Sequence, residues 1–525
     1  MKRSLSLLML VALLTALLAA CGGAPATNPT ITPAKPSTEA PTVAATTGVT
    51  GTGTVSETGT VTETGTVTGT TTVTATGELT ATGELTATGE LTATGELTAT
   101  GELTATGELT ATGTVSETGE LTATGELTAT EALTTTAAEP ISDYIKALAA
   151  KITPEIATAL GTVKIASQTP LSGDQAALGT GIRNGAELAV GEVAAALKLA
   201  GVKVELAPFD DQAKPEVGSA NAKNIVSTPE VLCVVGHLNS GVALASLPDY
   251  KNANLPMVSP ANTNPNITEG GYNVAFRVVG RDDVQGTVGE QFARDKLAVK
   301  SVYIIHDTTS YGQGVAEFFR QAAEKDGIKV LGFEGTEEKS DFSAILTPIQ
   351  AANPDLIYFG GLYPQAGPLF RQARDRGITA KFLGPDGLDS PDLAKLAGDA
   401  VEGMNYTSVA APVSQFPKAA EFATDYETAY KGPATPFAAQ SYDSANLCAS
   451  AILTAAVEAK GKPTRAQVLA ALKSLPNLSG ITGDYKFNTK GDPETATYFV
   501  LQANTKDWNA NTLVERLAIP APTSK

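Results

Sequence analysis

The 525-residue sequence predicts an α/β protein of two doubly wound parallel-sheet lobes joined by a hinge, carried behind a secretion signal and a long repetitive tract. Two observations lead to the two-lobed α/β reading. Short apolar runs with strand character alternate with helical patterns from Val163 to Leu383. Such alternation builds parallel sheets covered by helices on both faces. The globular part that contains this alternation spans roughly 360 residues, more than one comfortable hydrophobic core, so two lobes are expected.

The chain opens with Lys2 and Arg3, an apolar run from Leu5 to Leu18, and then Leu18-Ala19-Ala20-Cys21. A basic start, a short apolar core and small residues before a cleavage point describe a signal peptide over residues 1–20. The run is shorter than the roughly 20 apolar residues a spanning helix needs. Cysteine directly after Leu-Ala-Ala resembles the lipobox of bacterial lipoproteins. The resemblance implies lipidation of Cys21 and an extracytoplasmic protein anchored to the cell membrane.

Residues 21–140 are rich in Thr, Gly, Ala, Glu and Pro and hold no aromatic side chain. The unit Gly-Glu-Leu-Thr-Ala-Thr starts at Gly77 and recurs at Gly83, Gly89, Gly95, Gly101 and Gly107, then at Gly119 and Gly125. One Leu in six residues buries too little apolar area to offset the entropy of ordering the backbone, so a disordered tether is expected. A short-repeat β-solenoid is the ordered alternative. Residues 24–140 carry 14 Glu and one Lys, so 13 of the 18 excess negative charges lie there. The remainder is mildly acidic and has no basic stripe, which argues against nucleic-acid binding.

Order resumes at Ile141. Ile145, Leu148, Ile152 and Ile156 recur at helical spacing, a short helical lead-in over 141–161. Strands follow at Val163–Ala166, Val202–Leu206, Val231–Val235, Leu255–Val258, Val302–Ile305, Val330–Phe333, Leu356–Phe359 and Phe382–Leu383, with helical patterns between most of them. Cys233 falls in a buried strand and Cys448 in a helical pattern; two buried free thiols are expected.

Ligands of open parallel sheets bind beyond the carboxyl ends of strands, so the segments after each strand matter most. Val231–Val235 runs into Gly236-His237-Leu238-Asn239-Ser240-Gly241 and a helix, whose free N–H groups and Ser240 hydroxyl suit a carboxylate. Leu255–Val258 leads to Ser259-Pro260-Ala261-Asn262-Thr263. Val302–Ile305 leads to His306-Asp307-Thr308-Thr309-Ser310-Tyr311-Gly312, and Phe382–Leu383 to Gly384-Pro385-Asp386-Gly387. Alone, Ser240 and Thr263 read as caps and Asp386-Gly387 as a turn; at successive strand ends they read together as a site.

At these places the chain resembles the leucine/isoleucine/valine-binding proteins, type I periplasmic solute-binding proteins of hydrophobic amino acid ABC transporters. The resemblance runs from about Thr162 to about Trp508, through Pro170-Leu171-Ser172-Gly173, Phe209-Asp210-Asp211, Gly236-His237-Leu238, His306-Asp307 with Tyr311-Gly312, Gly360-Gly361, Arg371-Gln372-Ala373-Arg374 and Gly384-Pro385-Asp386-Gly387. It implies the periplasmic-binding-protein-like type I fold with a three-crossing hinge. Lobe one is expected at 162–280 plus 411–481, lobe two at 281–410 plus 482–510, and a flexible tail at 511–525. The crossings are expected near Gly280-Arg281, Thr407–Pro412 and Gly480–Gly483.

Residue by residue, the resemblance implies that Ser240, the Ala261 backbone and the Thr263 hydroxyl hold a ligand α-carboxylate. The Ala261 carbonyl, Thr263 and Asp386 would receive the α-ammonium, Tyr311 would close from the second lobe, and Phe437 would come from near the hinge. Asp386 stands where the family commonly has Glu. Leu178 and Leu362 replace tyrosines, which implies a larger, more apolar side-chain subsite. Ala213 and Asn239 stand where the family's disulfide cysteines would be.

Enzyme chemistry is not expected. His237 and His306 are the two histidines, and the sequence holds no Gly-x-Ser-x-Gly elbow, Walker loop or metal-spaced cluster. Gly179-Thr180-Gly181-Ile182-Arg183-Asn184-Gly185 has its last glycine one place too late for a dinucleotide loop and lies inside a helical pattern. No cofactor or metal is expected. The expected role is an amino-acid-binding lipoprotein of an ABC importer, working as a monomer with permease and ATPase subunits. The alternative is a solute-sensing receptor domain that feeds a signalling partner.

Overall fold

A computed structural model describes residues 138–522 and, before them, only short strand segments between Val43 and Ala129. The signal peptide and Cys21 lie outside the described residues. The strand segments are two to four residues long and follow the hexad: Val61–Thr64, Leu79–Thr82 and Leu97–Thr100, for example. Each pairs in parallel with the strand three hexads on, Val61 opposite Leu79 and Leu79 opposite Leu97, so that three five-stranded sheets form. This is the register of a short-repeat solenoid, the ordered alternative for the tract. The disordered tether expected over 21–140 falls mostly on residues that lie outside the described ones.

The second unit, from Ala137 onward, is α/β. Its first helix, Ile141–Ala149, buries Ile141, Ile145 and Leu148, the spacing that put them on one face. The next, Pro154–Leu160, starts from Thr153, whose Oγ1 accepts the Ile156 N–H at 3.4 Å.

Two sheets follow. The first holds β1 (Thr162–Thr169), β2 (Lys203–Asp210), β3 (Val231–Gly236), β4 (Met257–Ser259) and β5 (Ala275–Arg277), in parallel order β2-β1-β3-β4-β5. The second holds β6 (Ser301–His306), β7 (Lys329–Gly335), β8 (Leu356–Gly360), β9 (Lys381–Gly384) and β10 (Asn405–Ser408), extended by antiparallel β11 (Thr495–Gln502) and β12 (Thr512–Pro520). Its order is β7-β6-β8-β9-β10-β11-β12. Each lobe is therefore doubly wound, and in each the connections leave in opposite directions beside the first strand, the position where open α/β sheets bind ligands. All residues of β3 and β8 are buried, as strands covered on both faces must be.

The chain passes between the sheets three times: after β5, after β10, and before β11. At the first passage the Arg281 N–H donates to the Tyr498 hydroxyl at 2.7 Å, and a Cβ on Gly280 would lie 2.3 Å from that ring. The third passage comes later than Gly480–Gly483. Arg277 N–H of β5 donates to the Gly491 carbonyl at 3.0 Å, and Asp492 pairs with Arg277 at 2.7 Å and Arg281 at 3.1 Å. Residues 482–492 therefore stay with the first sheet, tied by buried ion pairs that the apolar pattern does not reveal.

Two further expectations are corrected. The segment from 511 is not a loose tail: Thr512–Pro520 pairs antiparallel with β11 along its length, with Leu513, Leu517 and Ile519 packed against the core. The two cysteines are not free. Helix Ala438–Ala459 packs across β3 and brings Cys448 and Cys233 to a Cα separation of 5.8 Å, where they form a disulfide. Among the described residues no helix is long and apolar enough to cross a membrane.

Candidate functional site

The loops after β3 and β4 are locked to each other by Asn262. Its side chain accepts the His237 N–H at 3.0 Å and donates to the Leu238 carbonyl at 3.0 Å. Behind them, the fully buried Arg277 donates to the carbonyls of Asn262 at 2.8 Å and Asn264 at 3.1 Å, its charge balanced by Asp492. This clamp fixes Ala261 and Thr263 at the tip of β4. Ser240, first residue of helix Ser240–Asn252, accepts the Asn264 N–H at 3.4 Å, so the two loops and the helix start adjoin.

From the second lobe, Tyr311 ends the loop after β6, Leu362 precedes helix Tyr363–Asp375 after β8, and Asp386 begins a short turn after β9. The Tyr311 hydroxyl donates to Asp386 Oδ1 at 2.9 Å and accepts the Gly387 N–H at 2.8 Å. A Cβ on Gly387 would lie 2.4 Å from the Gly361 carbonyl, so this close approach requires glycine. Phe437 holds φ of 68° at the start of helix Ala438–Ala459 and turns its ring to the same place.

The lobes meet across the loops: Asn264 Nδ2 donates to the Ser310 carbonyl at 2.7 Å, and the Tyr363 hydroxyl to the Asp174 carbonyl at 2.6 Å. Between them lies a cavity of about 20 Å³, lined by Leu178, Ala261, Tyr311, Leu362, Asp386 and Phe437 together with Leu238, Asn239 and Gly387. Six of the eight nominated residues thus share one cavity. Ser240 and Thr263 adjoin it without lining it. About 20 Å³ has room for one water molecule, so admitting a solute requires the lobes to part.

Burial dominates the electrostatics. It pushes the Asp386 carboxyl up to about 6, against the lowering effect of Gln285 and Tyr311. Asp282, at the first passage between the sheets, is pushed well above the usual carboxylate range, by burial first and then by the neighbouring Asp386 charge. In both acids burial destabilises the ionised form. Asn239 Nδ2 donates to Gln175 at 2.8 Å while its Oδ1 is buried without a hydrogen-bond partner. His237 is pushed down to about 3 by burial and stacks edge-on against Tyr250, a packed neutral ring.

Residues 162–507 match the family described as periplasmic binding protein. The chain belongs to that family. This periplasmic binding protein is 34% identical over 330 residues to the Leu/Ile/Val-binding protein homolog 1 of Brucella suis, covering 63% of this chain and 87% of the relative. It superposes on the leucine binding protein LivK of Thermotoga maritima with a TM-score of 0.61 at 28% identity, over 68% of this chain and 99% of the other. The branched-chain amino acid transporter substrate binding protein LivJ of Streptococcus pneumoniae, solved with isoleucine, has the same TM-score at 26% identity and the same coverage. The periplasmic binding protein is accordingly a solute binder and not an enzyme.

The sequence does not mark Leu238, Gly387, Asn262, Arg277 or Asp282 as site residues, and it marks Asn239 only as the place of a family cysteine. Leu238, Asn239, Asn262 and Gly387 stand in the four strand-tip segments, and position relative to a strand end was the signal available for them. Nothing in the sequence marks Arg277 or Asp282, whose roles depend on how the chain crosses between lobes.

Proposed function

We propose that this protein is the extracytoplasmic solute-binding component of an ABC importer and captures an amino acid, branched-chain, hydrophobic or related, by hinge closure. In this reading the start of helix Ser240–Asn252, the Ala261 backbone and Thr263 receive the carboxylate, and Asp386 receives the ammonium with Thr263 and the Ala261 carbonyl. Tyr311 closes from the second lobe. Leu178, Leu362 and Phe437 bound the side chain. Cys21 carries the lipid that holds the protein at the membrane, where the closed lobes engage the permease and, through it, the ATPase.

The observation that carries the proposal is the shared cavity. An acid that burial keeps near a pKa of 6 faces, across about 20 Å³, a loop built on a helix start. A zwitterion supplies one charge to each side, and charge-assisted hydrogen bonds contribute roughly 1.5–3 kcal/mol apiece. Closure is favoured because the bound solute adds contacts on the second lobe. The names of the relatives point to the same ligand class.

A thermal-shift screen of the purified protein against amino acids, amides, polyamines and short peptides tests this. Stabilisation by one or more α-amino acids, lost on blocking either the amine or the carboxylate, is the expected outcome. Stabilisation only by ligands lacking an α-ammonium would overturn the assignment.

A further inference from the structure

We propose that the cleft carries a second, polar subsite beside the amino-acid cavity, so that the preferred solute is an α-amino acid whose long side chain ends in a neutral amide or peptide-like group. The inference rests on the reading of the small cavity as an α-amino-acid site.

A cavity of about 300 Å³ lies between the lobes at the tips of β1, β2, β6 and β7, with walls that include Ser172, Gln175, Lys214, Asp307, Thr309 and Gln365. Leu362 lines both this cavity and the small one. A single aliphatic side chain is thus shared by the two spaces. Cross-lobe contacts at Asp174 border the larger space: the Tyr363 hydroxyl reaches its carbonyl at 2.6 Å, and Lys339 lies 3.8 Å from its carboxylate. A solute reaching this far would meet both lobes beyond the zwitterion site and favour closure.

The wall chemistry selects the terminal group. Lys339 is set against Asp174. Asp307 Oδ1 already accepts the N–H of Thr309 at 3.0 Å and its hydroxyl at 2.6 Å, and burial pushes that carboxyl up to about 6. Lys214 donates to the neutral Gln212 Oε1 at 3.2 Å, and on the same wall the cations Lys214 and Lys339 are matched in number by Asp174 and Glu337, so no excess of one sign calls for an ionic terminus. The two glutamines are complementary. Gln175 uses its oxygen to accept from Asn239 at 2.8 Å, which leaves its NH₂ as donor. Gln365 commits its NH₂ to the Thr336 carbonyl at 2.8 Å and the Glu338 carbonyl at 2.5 Å, which leaves its oxygen as acceptor. One donor and one acceptor match a secondary amide, which presents the reverse pair.

Titration calorimetry on the purified full chain, with Nε-acetyl-lysine and leucine as probes, decides the matter. Nε-acetyl-lysine is expected to bind at least tenfold more tightly than leucine. Ser172→Trp, which fills the larger cavity from a residue outside the small one, is expected to lower the ratio of the two affinities by tenfold or more; Lys214→Trp serves on another wall if the first variant does not fold. Leucine binding as tightly as Nε-acetyl-lysine, or a ratio indifferent to both substitutions, would overturn the subsite and leave the amino-acid reading standing. Binding of neither probe, with no α-amino acid active in the thermal-shift screen, would remove the amino-acid reading and the subsite with it.

Discussion

Replacing Asp386 by asparagine removes a charge while keeping the shape and the acceptor for Tyr311, whose hydroxyl sits 2.9 Å from Oδ1. Asp386 is only 3% exposed, so a solute ammonium there would be paired in a dry site. Losing a buried charged partner costs about 2–4 kcal/mol, which weakens Kd roughly 30- to 1000-fold. The folded protein without solute should respond oppositely. Burial raises the Asp386 carboxyl to about 6, so at pH 7 it is mostly ionised at a cost to the folded state that the unfolded chain does not bear, and the neutral amide should leave the melting temperature unchanged or higher. Titration calorimetry with the solute from the thermal-shift screen, beside a melting curve, reads both. The pH profile adds a second signature. The ammonium needs the ionised carboxylate, so affinity should fall about tenfold from pH 7 to pH 5 in the parent and lose that dependence in the Asp386→Asn variant. An Asp386→Asn variant binding within threefold of the parent would refute the charge assignment.

Four further outcomes are expected. Asp211 and Asp389 are pushed up to about 7, and Asp307 and Asp443 to about 6, burial leading in each case. The folded chain then holds protons that the unfolded chain has lost, so stability should fall as pH rises from about 4 to about 7; a melting temperature that climbs over that interval contradicts this. Thiol titration of the protein unfolded in guanidinium should find no free thiol from Cys233 and Cys448, since these are joined; two reactive equivalents beyond Cys21 would refute the pairing, which is expected to contribute about 2–5 kcal/mol. Gly280→Ala forces a Cβ to within 2.3 Å of the Tyr498 ring and should cost about 1–3 kcal/mol in a denaturant melt; an unchanged midpoint would mean that the passage relaxes freely. Deleting Gly77 to Thr130 should leave solute affinity within twofold by calorimetry, because every residue lining the cavity lies between Leu178 and Phe437; a large loss would give the repeats a part in binding.

The alternation of runs such as Val231–Val235 and Val302–Ile305 with helical patterns was enough to read the two-lobed fold, because strands buried on both faces must be apolar throughout. Strand β10 escaped notice for the opposite reason. Asn405-Tyr406-Thr407-Ser408 is polar because Tyr406 and Ser408 bond inward to the buried Asp389. In β12 the alternation Leu513, Leu517, Ile519 was present but broken by Glu515, which turns inward to meet Lys296 at 3.3 Å. The disulfide was out of reach because it depends on which face of β3 the helix Ala438–Ala459 crosses. At the site, strand ends located Ala261, Tyr311 and Asp386. The clamp of Asn262, Arg277 and Asp492 was hidden because its members lie 15 and 215 positions apart and meet only once the chain has returned from the second lobe.

A crystal structure of the protein with the amino acid that stabilises it most is the most direct trial. The solute ammonium should lie within hydrogen-bonding distance of Asp386, its carboxylate against Ser240 and the Ala261–Thr263 loop, with Tyr311 over it and both lobes in contact. A solute bound outside the interlobe cleft, or bound there with its ammonium turned away from Asp386, would contradict the account.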